Sequence, residues 1–161
     1  MKIFPAIDIK DKKCVRLIQG DFEKKTEYKT SPVDQAGKYK DHGFKNLHII
    51  DLDGALTGNT VNLDVIQEIV GKYDLKIEVG GGVRSIDSIK NYINSGVEKV
   101  ILGSAAIKNK EFLKEACAKF KNKIALGLDA KKGNLSTSGW KEDSNIKTLD
   151  FLKDVKNYGI S

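Results

Sequence analysis

Asp8 and Asp129 each stand where a short apolar run gives way to a polar loop. Ala6-Ile7-Asp8 runs on into Ile9-Lys10, and Gly127-Leu128-Asp129 into Ala130-Lys131. If both runs are strands of one parallel sheet, two carboxylates project at its C-terminal edge, where α/β folds place their chemistry. One can take a proton while the other gives one, provided their surroundings separate their pKa values. Catalysis of that kind contributes roughly 10²- to 10⁴-fold. The plainer alternative is that one of the two caps a loop, as aspartate at a strand end often does.

Two glycine loops accompany them. Gly80-Gly81-Gly82-Val83-Arg84 precedes a helix start at Ser85, and Gly103-Ser104-Ala105 follows the next apolar run. Glycine lets a backbone approach a phosphate closely, and a helix N-terminus adds N–H donors. One such loop reads equally well as a tight turn; two at the same end of a sheet point to a shared phosphate site. Trp140, amid Ser138, Gly139 and Lys141, is placed by no core periodicity and either stacks on a planar heterocycle or covers the sheet's end. His48 lies inside an apolar run, so a hydrogen-bonded core histidine competes with one pointing into the site. Asp51 and Asp53 resemble a metal box, but one glycine and no further ligand series fit a turn better.

The elements that must position these residues alternate. Ile3–Ile7, Leu47–Ile50, Ile77–Val79, Val100–Leu102 and Ile124–Leu128 read as five strands, with Pro5 counting against the first. Between them, Ser31-Pro32-Val33-Asp34 is a helix start with a capping serine and a first-turn proline. Leu63, Ile66, Ile69 and Val70 repeat at helical spacing, as do Ile86, Ile89 and Ile93 after Ser85, then Phe112, Leu113, Ala116 and Phe120, then Leu149, Leu152 and Val155. The connections after the first, second and fifth strands are long (residues 9–30, 52–61 and 130–145), and long loops grouped at strand C-termini describe the active face of a βα barrel. The fold class is therefore α/β, a (βα)8 barrel of which residues 1–161 hold the first five units as a single partial domain. Eight units typically need about 250 residues. An open five-strand version leaves unpaired edges and a half-exposed inner layer, so self-association or a complementing chain is expected.

With 161 residues and 40% hydrophobic content, the chain is globular in composition. The formal charge of +6 comes from lysines scattered among Asp and Glu. That pattern argues for a solvated surface, with at most a mild field favouring an anionic substrate, and against a nucleic-acid face. No apolar run approaches the ~18 residues of a membrane helix, and the N-terminal run is too short for a signal peptide. A cytoplasmic location is expected. Cys14 and Cys117 stand too far apart in sequence for a zinc or redox motif and read as reduced structural thiols.

Phe4-Pro5-Ala6-Ile7-Asp8, Lys13-Cys14-Val15-Arg16-Leu17, Gln19-Gly20-Asp21, His48 to Gly54, Gly80 to Arg84, Gly103-Ser104, the Asp129 strand end and Gly139-Trp140 follow one another along the whole chain. In that order they resemble the phosphoribosylformimino-5-aminoimidazole carboxamide ribotide isomerase family of histidine biosynthesis. The resemblance implies a (βα)8 barrel without cofactor or metal that turns an aminoaldose ribosyl phosphate into its aminoketose. It implies Asp8 as the general base at sugar C2 and Asp129 as the general acid that helps open the ring. It places Arg16, His48, Arg84 and Trp140 on the substrate and Gly81, Gly82, Gly103 and Ser104 at a phosphate. The expected partner is a small bis-phosphorylated ribotide. The cyclase subunit of imidazole glycerol phosphate synthase is a related alternative with the same fold, but it usually has Cys-Leu-Asp where this chain has Ala6-Ile7-Asp8. A third reading is a non-catalytic phosphate-binding or assembly fragment.

Family members continue through three more units that carry a threonine and a second phosphate site. A chain gripping one of two phosphates is expected to have little activity alone, since misplacement by about 1 Å can cost roughly 100-fold.

Overall fold

The computed structural model describes residues 1–18, 20–137 and 142–161. The chain opens with three strands, β1 (Ala6–Lys10), β2 (Lys13–Ile18) and β3 (Asp21–Glu27), followed by α1 (Pro32–Asp41) and β4 (Asn46–Asp51). A short α2 (Leu52–Thr57) and α3 (Leu63–Lys72) lead to β5 (Lys76–Gly80), α4 (Ile86–Asn94) and β6 (Lys99–Leu102). Then come α5 (Ser104–Lys108), α6 (Lys110–Lys119) and β7 (Ile124–Leu126). The last elements are β8 (Asp129–Lys131), β9 (Asn134–Thr137), β10 (Glu142–Lys147) and α7 (Thr148–Val155).

The sheet order is β3-β2-β1-β4-β5-β6-β7. β1, β4, β5, β6 and β7 run parallel, each beside the next, and are the five expected βα units of the barrel wall. β2 and β3 extend the wall antiparallel beyond β1. Four of the helix starts are fixed by side chains that relieve orphan N–H groups, that of α2 by Asp51, which accepts from Gly54 N at 2.8 Å. Ser31 accepts from Asp34 N at 3.0 Å, Ser85 from Ser88 N at 3.1 Å and Asn109 from Phe112 N at 3.0 Å.

Alternation along the strands decides which face meets the helices. Ile7, Ile9, Leu47, Ile49, Ile77, Val79, Val100 and Leu102 are buried beneath the helices in one core. The residues between them, among them Asp8, His48, Glu78 and Ile101, turn to the other face and are half-buried. The inner layer is thus half exposed, as the count of strands led one to expect.

Several sequence expectations need correction. The first strand is Ala6–Lys10 rather than Ile3–Ile7, so Pro5 precedes the ladder and offers only its carbonyl, which accepts from His48 N at 2.9 Å. Asp8 is consequently in mid-strand, not at a strand end. The long segments are also not loops. The first of them carries β2 and β3, residues 52–61 contain α2, and β8, β9 and β10 form a separate antiparallel sheet, order β10-β9-β8. At the far edge, the backbone N–H of Ser161 donates to the carbonyl of Ile124 at 2.9 Å, so that residue lies along β7. No helix among the described residues is long and apolar enough to cross a membrane.

Candidate active site

Asp8 is held from both sides, opposite Ile50 of β4 and Val15 of β2. Its carboxyl looks onto the half-buried inner face. Burial pushes its pKa above the ordinary carboxylate value, while the positive fields of Arg16 and His48 pull in the other direction. Arg16 is carried by β2, opposite Thr26 of β3, and is exposed. Asp8 and Arg16 share an open cavity of about 360 Å³ with Cys14, Tyr28, Gln35 and Tyr39 on its walls.

His48 sits one strand over. Its Nδ1 lies 2.7 Å from Oε1 of Glu78, the residue opposite it on β5. Ala6, His48, Glu78 and Lys99 form one register row across β1, β4, β5 and β6. The structure therefore brings Asp8, Arg16 and His48 into one neighbourhood. Glu78 belongs to it as well and was not singled out from the sequence. The signal was there, a charged residue between Ile77 and Val79 at the alternation position that faces inward.

Asp129 is placed differently. It opens β8 in the small sheet, opposite Ser136, and is exposed as a residue while burial of its carboxyl still raises the pKa. In the sheet order, three strands stand between β1 and β7, the strand that leads to Asp129. The charges acting on Asp8 are those of Arg16 and His48, not that of Asp129.

The glycine loop after β5 is shaped by its neighbours in the chain. Gly81 and Gly82 have φ of +107° and +69°, and a Cβ on either would overlap backbone, that of Asp51 for Gly81 and that of Gly54 for Gly82. Close packing against α2 alone demands glycine there. Arg84 reaches back to the same helix, with Nη2 donating to the carbonyl of Ala55 at 2.7 Å. Gly103 and Ser104 open α5, which has no side-chain cap. Trp140 lies outside the described residues.

Asp51 proves to be a buried anchor. Its Oδ1 accepts from Gly54 N at 2.8 Å and from Asn62 Nδ2 at 2.7 Å, and its Oδ2 accepts from Asn62 N at 3.0 Å and from the Tyr92 hydroxyl at 3.1 Å. Asp53 accepts from Asp11 N at 2.7 Å and from Asn62 Nδ2 at 2.9 Å, tying the β1–β2 turn to α2. These oxygens serve turns, which agrees with the turn reading of the pair. Among the described residues, no group of three or more His, Cys, Asp or Glu side chains could hold a metal ion.

A family model described as "Histidine biosynthesis protein" matches residues 2–161. The chain is 83% identical over 161 residues to a protein of Pelagibacter ubique (strain HTCC1062) named 1-(5-phosphoribosyl)-5-((5-phosphoribosylamino)methylideneamino) imidazole-4-carboxamide isomerase, covering 100% of this chain and 67% of that protein. Proteins of the same name from Listeria welshimeri and Bacillus pumilus are similar too. The first is 47% identical over 99% of this chain and 67% of its own length, the second 44% identical over 98% and 64%. The chain thus spans about two thirds of the length of these relatives. It belongs to the histidine biosynthesis protein family, whose barrel wall its five parallel strands build.

Proposed function

We propose that the chain carries the catalytic base of the isomerisation for which its relatives are named, and that the reaction is an aldose–ketose rearrangement. The observation that carries this is the 83% identity over all 161 residues to one such isomerase. The substrate is a ribotide whose aminated C1 and adjacent C2 exchange oxidation level without an external electron acceptor. Asp129 donates a proton to the ring oxygen, the bond from C1 to that oxygen breaks, and a C1 imine forms. Asp8 removes the proton from C2, and the electron pair moves through C2–C1 to the nitrogen. The resulting enolamine gives the aminoketose when C1 takes up a proton and the C2 hydroxyl gives one up.

Burial supports both roles. A carboxyl with a raised pKa holds its proton nearer to neutrality, which suits a donor, and is a stronger base once ionised. The Arg16 guanidinium works against that burial and favours the ionised form of Asp8. Arg16, His48 and Arg84 serve as substrate contacts, together with Trp140, and the α5 start at Gly103-Ser104 takes one phosphate, with Gly81 and Gly82 shaping the loop beside it. The reading places the protein in the cytoplasm, and the half-exposed inner face favours self-association.

The test is turnover of the ribotide by the purified chain, alone and mixed with the remaining third of a relative. Asp8→Asn and Asp129→Asn should each lower the rate by about 10²- to 10⁴-fold. Full activity in either variant sinks the assignment, and ammonia-dependent formation of imidazole glycerol phosphate instead would replace it with the cyclase.

A further inference from the structure

We propose that Glu78 is a positioning residue that fixes the proton of His48 on Nδ1, so that Nε2 meets the ligand as a hydrogen-bond acceptor. The inference rests on the isomerase reading only for the identity of that ligand. His48 and Glu78 are register partners on adjacent parallel strands. Their Nδ1···Oε1 separation is 2.7 Å, with side chains 28% and 22% exposed. A carboxylate oxygen can only accept, so the ring nitrogen facing it must bear the hydrogen. In the neutral ring the lone pair then belongs to Nε2, which has no hydrogen-bond partner among the described residues.

The chemical consequence is selectivity. A lone pair at Nε2 attracts an O–H or N–H and repels a phosphate or carbonyl oxygen. His48 therefore meets a ribose hydroxyl or the carboxamide N–H of the ribotide, and the phosphates lie elsewhere. Two charged residues neighbour the pair, with Lys99 on β6 opposite Glu78 and Asp8 on β1 turned to the same inner face. A purely structural cross-strand pair would fix the same tautomer but leave Nε2 without a ligand, so the response of Nε2 to the ribotide is what separates the two roles.

The chain has two histidines, so nitrogen-15 NMR of histidine-labelled protein resolves each ring. His42, whose Nδ1 lies 2.6 Å from the carbonyl of Lys38, is an internal reference. In its neutral form, His48 should show a protonated Nδ1 and a pyridine-like Nε2. In Glu78→Leu the His48 proton should redistribute toward Nε2 while His42 stays unchanged. Adding the ribotide should shift the Nε2 signal of the original chain, with binding roughly 10- to 100-fold weaker in the variant, as for other outer partners that orient a histidine. A proton on Nε2 in the original chain overturns the proposal, whether or not the variant folds. So does a folded variant whose His48 spectrum is unchanged. If the tautomer is as assigned but the ribotide leaves His48 unmoved, the assignment of Glu78 stands and the isomerase reading falls.

Discussion

A Cβ on Gly82 would overlap the carbonyl oxygen of Gly54. The loop after β5 and the first turn of α2 are therefore in backbone contact, and φ of +69° at Gly82 adds a second reason for glycine. Gly82→Ala should destabilise the chain by about 2–4 kcal/mol, combining left-handed strain with a forced backbone shift. Denaturant midpoints check this, and a change below about 0.5 kcal/mol, typical of an ordinary surface site, would contradict the packing.

Asn62 and Tyr92 should behave as members of one unit. Tyr92→Phe removes one of four hydrogen bonds to the buried Asp51 carboxylate, and the expected loss is about 1–3 kcal/mol. Asn62→Ala removes the bridge to both Asp51 and Asp53 and should cost more. The double variant should fall short of the sum of the singles, because both act on the same carboxylate. Strict additivity in a double-mutant cycle would show that they are independent.

Stability should depend on pH through Asp8 in a defined direction. Its folded-state pKa is raised, so between the unfolded and folded values the folded chain binds more protons and stability falls as pH rises. Above that window the ionised carboxylate is a standing penalty. Asp8→Asn should accordingly raise the melting temperature at neutral pH, with the gain shrinking below about pH 4. The same substitution removes the proposed base, so stability and turnover should move in opposite directions. A lower melting temperature at pH 7 would mean that the charge is compensated rather than strained.

Arg16 pulls the Asp8 pKa down, so Arg16→Met should raise it further. In a turnover assay the acidic limb of the pH–rate profile should move to higher pH. An unmoved limb would detach Arg16 from the base.

Both cysteines should resist labelling until the chain unfolds. Burial and the nearby Asp8 charge push the Cys14 thiol up to about 11, and burial raises Cys117. Thiolate is the reactive form, so alkylation at pH 8 should be slow for both and should track unfolding in denaturant. Rapid labelling of the native chain would show that the region around Cys14 opens.

The parallel wall was legible because its strands are dense in Ile, Val and Leu and because serine caps mark the helix starts at Ser31 and Ser85. The β1–β3 meander was not, since Lys13–Ile18 and Asp21–Glu27 mix charge with apolar residues, and beyond Cys14 and Val15 they are exposed or only half-buried. Their strand character comes from pairing with β1, a tertiary effect that single-sequence pattern does not carry. The small sheet escaped for the same reason. Asp8 and His48 were singled out by type and position, and the structure turns both to the inner face, whereas Arg84 carries a backbone contact to Ala55 that depends on where α2 folds. Glu78 was missed because its partner is 30 residues away, and only register brings the two together.

Asp8 is woven into the wall between two strands, whereas Asp129 rides on a separate panel joined to it through Leu128 and moored at Leu135, which is fully buried. The distance between the two proposed acids is therefore set by how that panel seats on the wall, and Leu135 is the residue whose packing fixes the seat.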